Sequence, residues 1–250
     1  MESETACGRQ GICRRQKVAG YGKGGTMANN YIGLFDVIGP VMVGPSSSHT
    51  SGTATIAWMT RQIFSGTPVK AEFTLYGSFA ETYKGHGTDR ALIGGILGYK
   101  SSDVRIRKAY AEARKNWLKV DFNVDKETQV SHPNTVDILV TGDDGHTLLI
   151  RGESIGGGRV RIRRINDIEV DFNGEYSTMI IGHQDVTGTV AYITSCLAEE
   201  EVNVATLKLF REGKGLKAVT VVETDSTISE ELKEKILQYE TVTSVDLIEI

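Results

Sequence analysis

The chain has 250 residues, of which 40% are hydrophobic and 24% charged, as is ordinary for a globular protein with one large domain or two smaller ones. Its formal net charge of −4 gives no reason to expect nucleic acid or an anionic membrane as the main partner. No apolar run approaches the roughly 20 residues of a membrane-spanning helix, and no secretory signal is recognisable, so a cytoplasmic location is expected.

The cysteines exclude one class of site. Only Cys7, Cys13 and Cys196 are present, and they form neither a C-x-x-C motif nor a disulfide or metal framework. A protein-bound iron–sulfur cluster usually needs four thiolates. We therefore expect no metal ligands from this chain alone.

The first 26 residues mix Gly, Arg, Lys and Gln without periodicity. This composition is typical of a disordered leader or of a segment added for expression. A first domain is predicted over residues 27–172, and Met27 is its expected start.

A loop rich in small polar residues, GPVMVGPSSSHTSG, covers Gly39–Gly52. Two glycine–proline pairs prevent helix or strand there, and the following residues 53–64 are predicted to form a helix. That helix could be capped by Ser46, Ser47 or Ser48. Its first-turn N–H groups, these hydroxyls and the one imidazole would suit a carboxylate or phosphate. A serine-rich cap with a histidine of no function is equally compatible with the composition.

The next segment, residues 69–80, alternates between apolar and polar residues, which predicts a half-buried strand. It is followed by Lys84–Asp89, where two glycines flank His86. Thr88 or Asp89 could cap the next helix, over residues 90–99. A turn with an exposed histidine would explain this stretch alone. However, both glycine-flanked histidine loops open a helix, which favours a function.

A helix with a basic start is predicted over residues 102–117, and strands follow over 118–124 and 135–151. The second of these segments contains a hairpin turn at Gly142–Gly145. His132 lies in a turn before Pro133, and we do not expect it to be a functional residue. A triple glycine at 156–158 favours either close approach to a ligand or a plain hairpin. Arginines then alternate with apolar residues over 159–164, which predicts a strand with one charged face.

The chain after residues 171–176 predicts a separate second domain, residues 173–250. Its pattern is strand, helix, strand, strand, helix, strand, with a helix over Ser229–Tyr239. This order is the ferredoxin-like βαββαβ arrangement. The expected fold class is therefore α+β, with a mixed α/β domain before a ferredoxin-like one.

The second domain resembles an ACT domain, a regulatory module that commonly binds amino acids. The resemblance rests on the turn His183-Gln184-Asp185-Val186-Thr187-Gly188. It implies effector binding at Gln184, Asp185 and Gly188, an amino acid as the small-molecule ligand, and homodimer contacts through this domain.

The first domain resembles the β chain of iron–sulfur-dependent L-serine dehydratases. Four stretches carry the resemblance in the same order: residues 35–52, 75–89 (LYGSFAETYKGHGTD), 132–135 (HPNT) and 153–158 (ESIGGG). With the ACT-like domain, the resemblance covers nearly everything after the leader.

This resemblance implies a lyase that converts L-serine to pyruvate and ammonia. It implies that a separate α subunit ligates a [4Fe–4S] cluster, and that His49 and His86 face that cluster as catalytic acid and base in an unassigned order. The implied substrate-binding residues are Ser46, Ser47, Ser48, Thr50, Thr88 and Asp89. Thr88 and Asp89 would also orient His86.

Two other hypotheses remain open at this stage. In one, the chain is a purely regulatory, amino-acid-binding subunit without catalytic groups. In the other, it is a stand-alone amino-acid sensor.

Overall fold

A computed structural model gives the structure of residues 41–249. The predicted leader, residues 1–26, and the first two residues of the 39–52 loop lie outside these described residues. The strands are β1 (Pro68–Tyr76), β2 (Lys119–Asp125), β3 (Thr135–Gly142), β4 (Thr147–Gly156), β5 (Arg159–Ile165), β6 (Ile168–Phe172), β7 (Ser177–Gln184), β8 (Val204–Arg211), β9 (Lys217–Thr224) and β10 (Val242–Ile248). The α-helices are α1 (Thr53–Ile63), α2 (Gly77–Thr82), α3 (Thr88–Ile96), α4 (Ala109–Lys115), α5 (Thr189–Glu199) and α6 (Glu230–Leu237).

The first sheet has the strand order β2-β1-β3-β4-β5-β6. β1 and β2 run parallel, whereas each of the other neighbouring pairs is antiparallel. Phe73 and Leu75 of β1 are fully buried, as the alternating pattern predicts. The predicted hairpin turn at Gly142–Gly145 joins β3 to β4, and the triple glycine joins β4 to β5.

Helices α1 and α3 pack closely against each other because small residues line their contact. A Cβ atom added to Gly95 of α3 would lie 2.5 Å from the Cβ of Ala57 and 2.6 Å from the carbonyl oxygen of Ala54, both in α1. Each helix begins directly after one of the two histidine loops. Their close packing therefore brings these loops together.

The second sheet has the order β10-β7-β9-β8, with antiparallel neighbours throughout. Helices α5 and α6 cover one face, where Ile193, Leu197, Leu232 and Ile236 are buried with Met179 and Ile181 of β7. This topology confirms the predicted ferredoxin-like arrangement and the α+β class. Ser229 caps α6 by accepting a hydrogen bond from the backbone N–H of Leu232.

The other face of the second sheet packs toward the first domain. Ile180, Val219, Val221 and Ile248 from this face belong to the same hydrophobic core as the first sheet and α1. Within the described part of the chain, no helix has the length and apolar character needed to span a bilayer.

Three local predictions are wrong in detail. The strand predicted over 69–80 ends at Tyr76, because Gly77 adopts φ +49° and starts α2. Asp103 caps a 3-10 helix, Val104–Lys108, so the helix predicted over 102–117 is α-helical only from Ala109 to Lys115. Thr88 and Asp89 do not cap α3: they are its first two residues, and Gly87 occupies the capping position with φ +70°.

Candidate functional site

Two reciprocal hydrogen bonds hold the two histidine loops together. The hydroxyl of Thr50 donates to the carbonyl oxygen of His86 at 2.9 Å, and the hydroxyl of Thr88 donates to the carbonyl oxygen of His49 at 2.9 Å. Both threonines are buried, so water does not compete strongly for these bonds. The backbones of the two histidines are therefore fixed relative to each other.

The loop containing His49 is wound as a π-helical turn, Ser47–Gly52, that leads into α1. Ser46 caps this turn by accepting a hydrogen bond from the backbone N–H of His49 at 3.1 Å. The predicted serine cap of α1 itself is wrong in detail, because Gly52 occupies the capping position of α1 and no side chain caps it. Gly52 lies directly against β4, since a Cβ atom added there would meet the hydroxyl of Ser154 at 2.0 Å. Short π-helical turns are frequent at functional sites.

The imidazole of His49 has a serine hydroxyl at each ring nitrogen. Nδ1 lies 3.0 Å from the hydroxyl of Ser48, and Nε2 lies 3.0 Å from that of Ser78 in α2. Phe79 packs edge-on to the ring, with 5.1 Å between the ring centroids. Burial, and secondly the nearby His86, lower the pKa of His49, so the ring is predominantly neutral at pH 7.

The ring of His86 meets that of His49 edge-on, with 4.8 Å between the centroids and 71° between the planes. The Nδ1 atom of His86 is buried and has no hydrogen-bond partner in the described protein. The two imidazoles are thus in contact. The ring nitrogens of His49 both contact serine hydroxyls, whereas Nδ1 of His86 has no partner among the described residues. Such a pair can hold and move protons near neutral pH.

The other predicted substrate-binding residues differ in what their side chains do. Ser46 and Ser48 lie beside Nδ1 of His49, and both hydroxyls are within 3.4 Å of it. Ser47, in the same turn, is half-buried. Thr50 is only 2% exposed, and its hydroxyl is committed to the backbone of His86.

Within residues 41–249, neither Thr88 nor Asp89 forms a side-chain hydrogen bond to the His86 ring, so any effect on His86 acts through the backbone. Thr88 donates to the His49 carbonyl oxygen, and Asp89 accepts hydrogen bonds from the Tyr110 hydroxyl at 2.9 Å and the Arg90 backbone N–H at 2.8 Å. Burial, followed by the bond to Asp89, raises the pKa of Tyr110. These residues fix the start of α3, and thereby the loop that carries His86.

Two other histidines have local structural partners. The backbone N–H of Asn134 donates to Nδ1 of His132, which supports the turn that sequence reasoning predicts there. His183 is 3% exposed, with its ring nitrogens near the carbonyl oxygen of Gln184 and the hydroxyl of Thr220.

The predicted effector residues lie together in the turn between β7 and α5. Gly188 precedes α5 with φ +100°, and Asp185 forms an ion pair with Arg211 at 3.1 Å. Gln184 lies at the end of β7 and lines a cavity between the two sheets. Effector binding by these residues stays a prediction.

Sequence reasoning missed Ser78 as a site residue. The residue lies within the stretch 75–89 that carries the family resemblance, but residues 77–80 read as the continuation of a strand. A strand would not place Ser78 beside His49. The helical turn starting at Gly77 does so, because the backbone N–H of Ser78 donates to Pro133 and its side chain then faces the π-helical turn.

The thiols of this chain do not fit a four-thiolate iron–sulfur cluster. The sequence has three cysteines, and Cys196 is 2% exposed in the core between α5 and the second sheet. Cys196 belongs to the same hydrophobic cluster as Ile193 and Leu197, which does not include the histidine pair. A cluster acting at this site would have to be ligated by another chain.

Comparison with known proteins finds a matching family model, two relatives similar over most of this chain and one solved structure. The family model described as serine dehydratase beta chain matches residues 33–165. The L-serine dehydratase beta chain of Peptoniphilus asaccharolyticus is 41% identical over 217 residues, which are 86% of this chain and 97% of that protein. A probable L-serine dehydratase beta chain of Bacillus subtilis is 39% identical over 206 residues, or 82% and 93% of the two chains. The solved ACT domain of a Chlorobium tepidum GTP pyrophosphokinase aligns with 29% of this chain and 95% of its own length, at 17% identity and a TM-score of 0.25.

Proposed function

The chain belongs to the serine dehydratase beta-chain family, and from this premise we propose that it is the half of an L-serine ammonia-lyase that supplies the proton-transfer groups. The proposed enzyme converts L-serine to pyruvate and ammonia together with an α subunit in the cytoplasm. The observation that carries the proposal is the contact between the His49 and His86 rings, 4.8 Å apart between centroids.

The reaction requires two proton transfers. The Cα proton of serine must be removed, and the hydroxyl must receive a proton so that it leaves as water. The resulting enamine tautomerises to an imine, and hydrolysis of the imine gives pyruvate and ammonia. Each positioned acid or base contributes about 10²–10⁴-fold to the rate of such steps.

His49 is suited to accept a proton because its lowered pKa keeps it neutral at pH 7. Ser48 and Ser78 hold the ring in place by contacts at both nitrogens. His86 contacts the same ring and is the second proton-transfer group of the proposal. The hydroxyls of Ser46, Ser47 and Ser48, at the start of the π-helical turn, are proposed to receive the substrate carboxylate.

We assign the [4Fe–4S] cluster of the proposal to the α subunit, since the thiols of this chain do not fit one. When bound, a cluster iron with an open position supplies a Lewis acid for the substrate hydroxyl. No group of this chain is assigned as its ligand.

The proposal is tested by anaerobic co-expression with the α subunit and measurement of pyruvate formed from L-serine. We expect His49→Ala and His86→Ala each to lower kcat by about 10²-fold or more. His132→Ala is the matched control, because this imidazole lies in a separate turn, and it should keep kcat within twofold. Full activity of both site variants would exclude catalytic roles. An altered effector response at unchanged maximal rate would favour a purely regulatory subunit.

A further inference from the structure

A second cavity of about 710 Å³ lies behind the histidine loops. It is lined on one side by Gly44, Pro45 and Thr50, and on another by Lys84 and Arg90. Ile106 and Arg107, from the 3-10 helix before α4, also line it. The cavity therefore lies between three separate segments of the first domain.

Three of the lining residues carry positive charge, and none of the three forms an ion pair with a carboxylate among residues 41–249. Lys84, Arg90 and Arg107 are exposed cations in a protein whose formal net charge is −4. Neighbouring cations on the same surface behave differently: Arg105 pairs with Asp103, and Lys115 pairs with Glu112. Other exposed cations, such as Arg114 and Lys126, are also without an ion pair among residues 41–249, but Lys84, Arg90 and Arg107 line one cavity, where an anionic occupant would offset their charge.

The backbone adds further donors to this cavity. Gly85 and Gly87 also line the cavity, and their backbone N–H groups donate no hydrogen bond to an acceptor among residues 41–249. Arginine and lysine side chains together with free backbone N–H groups are the donor set that carboxylate and phosphate oxygens accept from.

The cavity is distinct from the histidine pair, although it touches the same loops. Ser48 and Ser78, which contact the His49 ring, do not line it, and neither histidine does. Thr50 separates the two sites: it lines the cavity, and its hydroxyl is bonded to the carbonyl oxygen of His86. A ligand in the cavity would contact residues of both histidine loops, but not the rings of His49 and His86.

We propose that this cavity is a binding site for a small dianion, held by Lys84, Arg90 and Arg107, and that it is separate from the substrate site. Three cations favour a doubly charged ligand over a monocarboxylate such as L-serine. The ligand chemistry is a dicarboxylate or a phosphate, whose paired oxygens match the planar guanidinium groups. The inference does not depend on the proposed dehydratase activity, since it concerns binding to this chain alone.

The test is calorimetric titration of the full chain with inorganic phosphate, with malonate and with acetate, at constant ionic strength set by sodium chloride. We expect the wild type to bind phosphate or malonate with a Kd on the order of 1 mM or tighter. Acetate should bind at least about tenfold more weakly. Tighter binding of phosphate than of malonate, or the reverse, identifies which dianion the site takes.

Two double variants locate the site. Arg90→Gln with Arg107→Gln should weaken dianion binding at least about tenfold, because both guanidinium groups are removed. Arg114→Gln with Lys126→Gln removes the same charge from exposed positions outside the cavity and should leave the Kd within twofold. Equal thermal midpoints verify that both proteins fold, as expected for substitutions of exposed residues.

Three results would overturn the proposal. The first is no heat of binding for either dianion beyond that of sodium chloride. The second is acetate binding as tight as that of the dianions. The third is equal weakening in the two double variants, which would indicate a general charge effect rather than a site.

Discussion

At the His49 ring, the two nitrogens contact hydroxyls that belong to different parts of the chain. Ser48 is the preceding residue, whereas Ser78 lies in α2, 29 positions further along the sequence. Among residues 41–249, the contact with Ser78 is the one hydrogen bond that links the His49 ring to an element outside its own loop. Ser78 is therefore a positioning residue: it acts on the reaction through His49.

We expect Ser78→Ala to lower kcat by roughly 10- to 100-fold, because a ring free to turn spends less time in the productive orientation. KM for L-serine should stay within twofold, since Ser78 is not placed in contact with substrate. Steady-state kinetics of the co-expressed α and β chains measure both constants.

Two further variants separate positioning from general damage to the fold. Ser78→Thr retains a hydroxyl and should recover most of kcat, whereas Ser102→Ala, at an exposed serine, should change nothing. A rise in KM with kcat unchanged would instead assign Ser78 to substrate binding.

At the scale of elements, the contact between α1 and α3 determines where the two histidine loops lie. Gly95 is a point of close approach, and its neighbours there are the Cβ of Ala57 and the backbone of Ala54 and Trp58. Neither backbone nor a Cβ atom can rotate away from an added methyl group. A larger residue at position 95 must therefore push the helices apart.

We expect Gly95→Ala to reduce the free energy of unfolding by about 1–3 kcal/mol, despite the higher helix propensity of alanine. Chemical denaturation followed by circular dichroism measures the change. Gly85→Ala is the matched control, since its nearest neighbour would be the Thr82 carbonyl oxygen at an ordinary 3.7 Å. It should be neutral or slightly stabilising. Equal stability of the Gly95→Ala protein and the wild type would show that the helices can separate at no cost.

An element can be predicted from the sequence when the interactions that form it are between residues close together in the chain. The β1 strand, the β3–β4 hairpin and the whole βαββαβ unit are predictable because their alternation and turn residues are local. Helix α2 is not, because a six-residue helix has fewer than two turns in which to show an apolar repeat. Its start also depends on the approach of Gly77 to Pro133, 56 positions away.

The same distinction between local and long-range interactions applies to the candidate site. The residue types at His49 and His86 point to proton transfer, and the glycines in both loops predict that the loops are accessible. Their contact is a tertiary property, since it rests on hydrogen bonds that join Thr50 to His86 and Thr88 to His49 across 36 and 39 positions. The sequence also suggests that Thr88 serves His86, whereas packing gives its hydroxyl to the other histidine.

At the scale of the whole molecule, the two sheets are joined by an apolar contact that also contains a carboxyl group. Asp246 lies in β10 and lines the cavity between the sheets, near Phe64 and Ser65 at the end of α1. Burial raises the pKa of Asp246 to about 6, and Lys233 offsets this only in part. No salt bridge or side-chain hydrogen bond to Asp246 is found within residues 41–249.

The raised pKa makes Asp246 destabilising at neutral pH. An unfolded Asp titrates near 4, so between about pH 4 and pH 6 the folded protein binds more protons than the unfolded chain. The contribution of this group to stability is therefore complete below about pH 4 and is lost as the pH rises through 6. A carboxyl pKa raised from about 4 to about 6 corresponds to at most about 3 kcal/mol.

We expect Asp246→Asn to stabilise the protein at pH 7.5 by about 1–3 kcal/mol, since the amide has the same shape and no charge to desolvate. The gain should nearly vanish at pH 3.5, where Asp246 is mostly protonated in both the folded and the unfolded state. Denaturant unfolding at both pH values measures the difference. Asp167→Asn is the matched control at an exposed carboxyl of the same cavity, and it should leave stability within about 0.5 kcal/mol at either pH. A pH-independent gain would mean that ionisation of Asp246 is not its cause. A loss at pH 7.5 would mean that Asp246 is ionised and compensated where the sheets meet.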